Sequence, residues 1–578
     1  MAAYIISAID NINMRQLGEK GHIEYGWSEN IREKILQFSF QLVRNKNETD
    51  LYNLKNILRG ILFSLKNNID QNSSSCLVAK NYLCLMYKII AHTRDIIDGK
   101  GEYTLTYMMI HCWFEFYPLL SLFALKCLVD LENEKIHQYG SWKDIKYFCD
   151  YCKSQGENMD HSLIQYAIRL INTQIKTDYE KYNSNSDDIS LAAKWTPREK
   201  SQFGWMFQPL ATHYFNHYLE TATNDQRKYK AILKCKTEYR KILSALNNKI
   251  DTLQIKQCEQ NWSKIDFNKV TSISMVKQKK AFLNIKNNSC IRYENNMDRI
   301  QCAKNFHTFI QTTLSDEKEI KGKRISMADF TKEALRILYS SNDTEKDILN
   351  SQWRDNSTQT GSLGNMIAMV DVSGSMDGDP LNVAIALGLR IAEKSLLGKR
   401  VMTFSAKPIW INLEKCDDFI SQVKAVKNAE WGMNTNFYAA LDMILDAIIQ
   451  NKMAPEDVQN MILVILSDMQ MDAGDKCDKK SLYDIMKEKY EAAGIRVHGK
   501  PYKPPHILFW NLRATHGFPS LSFQQNCSMM SGFSPALLNM FCEEGLVALE
   551  SSTPWNLLER TLENERYKIM EKKFFQEI

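Results

Sequence analysis

The chain has 578 residues, 44% of them hydrophobic and 24% charged, with a formal net charge of +5. That length exceeds what one core normally serves, so two or more domains are expected, and the composition excludes a wholly disordered chain. No basic-then-apolar leader is visible. The most apolar stretch, Tyr107 to Leu131, is interrupted by His111, Glu115, Pro118 and Lys126, so buried helices are expected there and not a membrane span.

The 14 cysteines are scattered, and the one close pair, Cys149-x-x-Cys152, lacks the second pair or nearby histidines of a zinc set. Reduced core thiols in a cytoplasmic, intracellular protein are therefore expected. Charge is unevenly placed. Residues 1–360 carry 50 basic and 41 acidic residues, a net +9, and residues 361–578 carry 23 and 27, a net −4. Basic runs such as Lys277-x-Lys-Lys280 read first as solvated helix faces and second as a polyanion site.

From the N-terminus to about residue 340 the pattern is helical. Leu51, Leu54, Ile57, Leu58, Ile61 and Leu62 recur at three- and four-residue spacing, and a similar stretch runs from Tyr82 to Ile90. Breaks fall at Asn72-Ser-Ser-Ser, Asp98-Gly-Lys-Gly and Asn183-Ser-Asn-Ser. No exact repeat period emerges, so an irregular helical array is expected. Polar stretches at Ser340-Ser-Asn-Asp and Asn356-Ser-Thr-Gln-Thr-Gly-Ser place the domain boundary.

Beyond it, strands and helices alternate. Strands are expected at Met366–Val370, Arg400–Phe404, Met461–Leu466 and His506–Trp510. Helices are expected from Pro380, over Phe437–Gln450 and near Leu482–Ala493, with a final capped helix at Ser552–Glu559. Such alternation predicts a parallel, doubly wound sheet covered on both faces. The expected organisation is an all-α, repeat-like array over 1–345, an α/β doubly wound domain over 360–550, and a C-terminal helix over 551–578.

The first expected strand ends in Asp371-Val-Ser373-Gly-Ser375. Residues at i, i+2 and i+4 of an extended chain point the same way, so these three oxygens can converge on one hard cation, Mg²⁺ before zinc or copper. Asp468 ends the apolar run Met461–Ser467 in the same manner, and Thr435 lies in a loop that opens the next helix. The alternative is that Ser373 and Ser375 cap the following helix.

This set looks like the metal-ion-dependent adhesion site of a von Willebrand factor A domain. The resemblance implies that Asp371, Ser373, Ser375, Thr435 and Asp468 hold Mg²⁺, with a partner's anionic oxygen completing the shell. Many relatives follow the loop Thr with Asp, whereas this chain has Asn436. Further strings extend the likeness: Arg94-Asp95-Ile-Ile-Asp-Gly99-Lys100-Gly101-Glu102, Tyr139-Gly-Ser-Trp142-Lys-Asp144 and Leu191-Ala-Ala-Lys194-Trp195-Thr-Pro197. They resemble an uncharacterised family of plants and giant DNA viruses. That family is more distantly similar to the Ro ribonucleoprotein, in which a ring of helical repeats (the TROVE module, HEAT-like in kind) joins a von Willebrand A domain.

The resemblance implies a non-enzymatic RNA-binding, ribonucleoprotein-like scaffold. Two other functions remain open. One is a metal-dependent protein adaptor that grips an acidic side chain. The other is a metal-assisted phosphoryl hydrolase, against which stand the lack of a Walker-type loop, of a nucleophile elbow and of a histidine beside the metal residues. By local pattern alone, Arg94 and Asp95 read as a helix-terminal pair, and Trp142 and Trp195 as core anchors. No RNA-contacting residue is assigned.

Overall fold

The computed structural model describes residues 14–18, 21–45, 47–71, 76–132, 135–286, 290–316, 318–339, 343–404, 408–429, 437–459, 461–470, 482–515, 517–542 and 552–578. It contains an N-terminal helical array and a C-terminal mixed sheet with mostly parallel strands. Contacts divide the chain into two compact units. One comprises residues 1–93, 98–105 and 318–571, the other residues 94–97, 106–317 and 572–578. This division is discontinuous, whereas the sequence reading cuts the chain once, between 345 and 360.

The first unit is built on a short antiparallel hairpin, β1 (Arg15–Leu17) and β2 (Ile23–Tyr25), and a six-stranded sheet. The sheet strands are β3 (Met366–Asp371), β4 (Arg400–Phe404), β5 (Ile409–Asn412), β6 (Ile462–Ser467), β7 (His506–Asn511) and β8 (Cys527–Ser531). Their order is β5-β4-β3-β6-β7-β8, parallel throughout except for the β4–β5 pair. The chain thus steps outward one way from β3, returns to β6 beside it, and steps outward the other way. With right-handed crossovers, the connections of the two halves lie on opposite faces.

Every residue of β3, β6, β7 and β8 is buried, as continuous apolar runs in covered parallel strands require. The helix Asp379–Lys394 packs on β3, β4 and β6. It approaches so closely that a Cβ on Gly388 would lie 2.5 Å from Cγ2 of Val370, the residue before Asp371. The helix therefore pins the end of β3 from behind.

Residues before 94 belong with this sheet for identifiable reasons. Tyr25 and Phe518 exchange backbone hydrogen bonds of 2.9 Å in both directions. Glu33, in the helix Ile31–Gln41, accepts the Ser522 N–H at both carboxylate oxygens, and its burial raises its pKa. The buried Lys100 ammonium donates to the carbonyls of Ser39 and Leu42 (2.8 and 3.2 Å) and to the Ser531 hydroxyl (2.7 Å). Glu102 accepts Nε and Nη2 of Arg44 at 3.0 and 3.1 Å. The Gly-Lys-Gly-Glu string is thus a structural clamp.

The second unit is helical. The apolar stretch 107–131 forms Thr104–Phe116 and Pro118–Cys127, parted at Tyr117 because a residue before proline disfavours the helical conformation. Among the described residues no helix is long and apolar enough to cross a membrane. Cys149 and Cys152 are fully buried in the helix Trp142–Ser154, and burial pushes the Cys149 thiol well up, as an inert core thiol requires. The described cysteines are all free. Asn172 bolts three helices together: it donates to the Leu210 carbonyl and accepts the Tyr239 hydroxyl, both at 2.9 Å.

Candidate functional site

β3 and β6 are neighbours, with Val370 beside Leu466, so the next residues, Asp371 and Ser467, emerge together at the carboxyl end of the sheet. This is where the strand order reverses. The carboxyl ends of adjacent strands at such a point are the usual ligand position in open α/β sheets.

Asp371 is fully buried, and both its oxygens are fixed. Oδ1 accepts the Ser373 N–H at 2.9 Å, and Oδ2 accepts the Ser467 hydroxyl at 2.6 Å. Ser467 in turn accepts the Met469 N–H at 3.0 Å. Asp468, also buried, accepts the Gln470 N–H at 3.1 Å while Met469 turns through a positive φ of 64°. Burial pushes the Asp371 carboxyl up to about 6, and the negative charge of Asp468 adds to the rise; hydrogen bonds from Ser467 and Ser373 offset it only in part.

The hydroxyls of Ser373 and Ser375 lie 3.0 Å apart. Neither caps the following helix, whose N-cap is Gly378 with no side-chain cap bond; the capping alternative is therefore set aside. Two buried carboxylates and two facing hydroxyls thus meet at one end of two adjacent strands. All four groups present oxygen, which fits a hard divalent cation and no soft one. Among the described residues no group of three His, Cys, Asp or Glu side chains forms a metal set, so any cation here would depend on the serine hydroxyls. Thr435 and Asn436 lie outside the described residues.

Two participants were not read from the sequence. Ser467 holds Asp371 in place, and its signal was present as a hydroxyl closing an otherwise apolar run. Arg513, exposed beyond the end of β7, donates from Nη1 to the Ser375 carbonyl and so ties the serine loop to the next strand. Its signal was absent, because the contact joins residues 138 positions apart.

The other strings fall elsewhere. The Arg94 guanidinium forks onto Asp144 at 2.7 and 2.9 Å, and Asp95 accepts the Ile97 N–H at 2.9 Å. Asp144, in the first turn of Trp142–Ser154, faces Arg94 directly. Gly140 has no Cβ that would meet Asp144 Oδ2 at 2.7 Å. Trp142 and Trp195 are partly buried.

Fold and site together define an α/β sheet protein with an acid–hydroxyl cluster at its switch point, and a helical unit. Residues 365–576 match a domain of unknown function, DUF7788, and residues 156–359 match another, DUF2828. The chain is similar to an uncharacterised protein, L728, of Acanthamoeba polyphaga mimivirus. The two are 28% identical over 496 residues, covering 82% of this chain and 78% of the viral protein.

Proposed function

We propose that this is a non-enzymatic binding protein whose sheet unit resembles a von Willebrand A domain and takes Mg²⁺ at Asp371, Ser373, Ser375 and Asp468, with Thr435 as the fifth residue. The observation that carries the reading is the meeting of two buried carboxylates with two hydroxyls 3.0 Å apart at the switch point. A divalent cation would relieve the repulsion between Asp371 and Asp468 and offer an open coordination position to a partner's anionic oxygen. Ser467 and the Ser373 N–H orient Asp371, and Arg513 steadies the serine loop. The partner that suits such a position is an acidic protein side chain. The helical unit, which carries the positive excess, is the part suited to RNA, in keeping with a Ro-like organisation.

The test is thermal unfolding with and without Mg²⁺. A ligand at about 100 times its Kd stabilises by about 2.7 kcal/mol, which raises the midpoint by about 5–10 °C for a large domain. Ser375→Ala, a half-buried change that spares the core, should reduce the shift, and Asp371→Ala should abolish it. A wild-type midpoint indifferent to millimolar Mg²⁺, together with no heat on titrating MgCl₂, would refute the cation site.

A further inference from the structure

The helical unit gathers three lysines around one indole. Lys143 and Lys146 lie one turn apart on the helix Trp142–Ser154, and Lys194 ends the short helix Ala192–Trp195. Lys146 Nζ is 4.9 Å from the Trp195 ring centroid and 5.2 Å from that of Phe203. Lys194 and Lys143 approach the same indole at 5.8 and 6.0 Å, and Lys143 lies 5.0 Å from the Tyr147 ring. Among the described residues neither Lys146 nor Lys194 forms an ion pair with a carboxylate. Burial lowers the pKa of both, and the neighbouring Lys143 lowers Lys146 further.

Like charges brought together at a half-buried ring repel one another, and an anion removes that cost. The same face continues one helix length further, where Lys153 Nζ sits 4.9 Å from Trp205, whose buried indole N–H has no acceptor among the described residues. From Lys143 to Lys153 the helix rises about 15 Å. Residues 106–317, the bulk of this unit, carry 29 basic and 23 acidic residues.

We propose that Lys143, Lys146 and Lys194, set around Trp195, form a binding face for the phosphate backbone of single-stranded nucleic acid. This names the contact surface for the RNA part of the reading above and is independent of the cation site. Two features favour nucleic acid over a phosphorylated peptide. The cations are lysines, which meet phosphate as point charges and not as the planar fork that captures a single phosphate in bidentate fashion. Phe203 is buried, but the Trp195, Tyr147 and Trp205 rings are partly exposed and interleaved with the charges, as a strand needs that offers both phosphates and base faces.

The experiment is fluorescence anisotropy of the full chain with a labelled oligouridine RNA across a salt series, with and without EDTA. Lys146→Glu combined with Lys194→Glu should weaken binding at least tenfold and flatten the slope of log affinity against log salt by about 1.4, at about 0.7 per lost phosphate contact. Trp195→Ala should weaken it about fivefold or more. EDTA should change neither. The control is Lys230→Glu with Lys241→Glu on the helix Asp225–Ile250, the same charge change away from the cluster, and it should have a much smaller effect. Equal losses in control and cluster variants, or wild-type affinity in the cluster variant, would overturn the surface while leaving RNA binding intact. No wild-type binding at low salt, or binding of a phosphorylated peptide in place of RNA, would overturn both.

Discussion

Replacing Asp144 with alanine removes the acceptor that five donors share. Its Oδ1 takes Arg94 Nε and the Tyr107 hydroxyl, each at 2.7 Å. Its Oδ2 takes Arg94 Nη2 at 2.9 Å, the Ser141 N–H at 2.8 Å and the Ser141 hydroxyl at 3.2 Å. The Asp144 side chain is 0% exposed and that of Arg94 1%, so the variant takes a two-oxygen acceptor from a guanidinium that water cannot reach. Breaking a buried pair by removing one partner costs about 3–5 kcal/mol. For a unit of some two hundred residues that lowers the midpoint by about 6–20 °C. Thermal unfolding of the full chain measures the total, and amide hydrogen exchange in Trp142–Ser154 locates it. Arg94→Met with Asp144→Leu should recover part of the loss, since no charge remains buried. Recovery stays partial because Tyr107 and Ser141 still lack an acceptor. A single-variant cost under about 1 kcal/mol would refute the reasoning, because it would mean that Arg94 finds water or another acceptor at once.

Two further outcomes follow from packing and charge. Gly388→Ala should destabilise the sheet unit by about 1–3 kcal/mol through overpacking against Val370, and chemical denaturation that finds it neutral would mean the helix shifts freely. Burial lowers Lys100 from 10.5 to about 7, with Glu102 opposing the change. Between those values the unfolded chain binds the extra proton, so the contribution of Lys100 to stability rises with pH from about 7 towards 10.5. Stability measured against Lys100→Met across that range should show the rise, and a flat difference would count against the lowered pKa.

Much of the sheet was legible because buried parallel strands are short apolar runs. Arg400–Phe404 and the helix Phe437–Gln450 appear with the expected bounds, and β3, β6 and β7 within a residue or so. β5 and β8 were not legible. Ile409–Asn412 is four residues long, and Cys527–Ser531 reads Cys-Ser-Met-Met-Ser, which carries little strand preference of its own. The hairpin β1–β2 escaped for the same reason of length.

By itself the amino-acid sequence determined the class of each long element and the placing of Asp371 and Asp468 at strand ends, because period and termination are local properties. The three-dimensional arrangement alone decided the rest. It set β3 beside β6 so that two acids lie together at one sheet end, gave Asp371 its hold on Ser467, and joined residues before 94 to the sheet. It also matched Arg94 with Asp144, fifty residues away, and drew lysines from two separate helices around Trp195. Each of these depends on which distant surfaces bury one another, a choice made by packing and desolvation over the whole fold and recorded in no short stretch of chain.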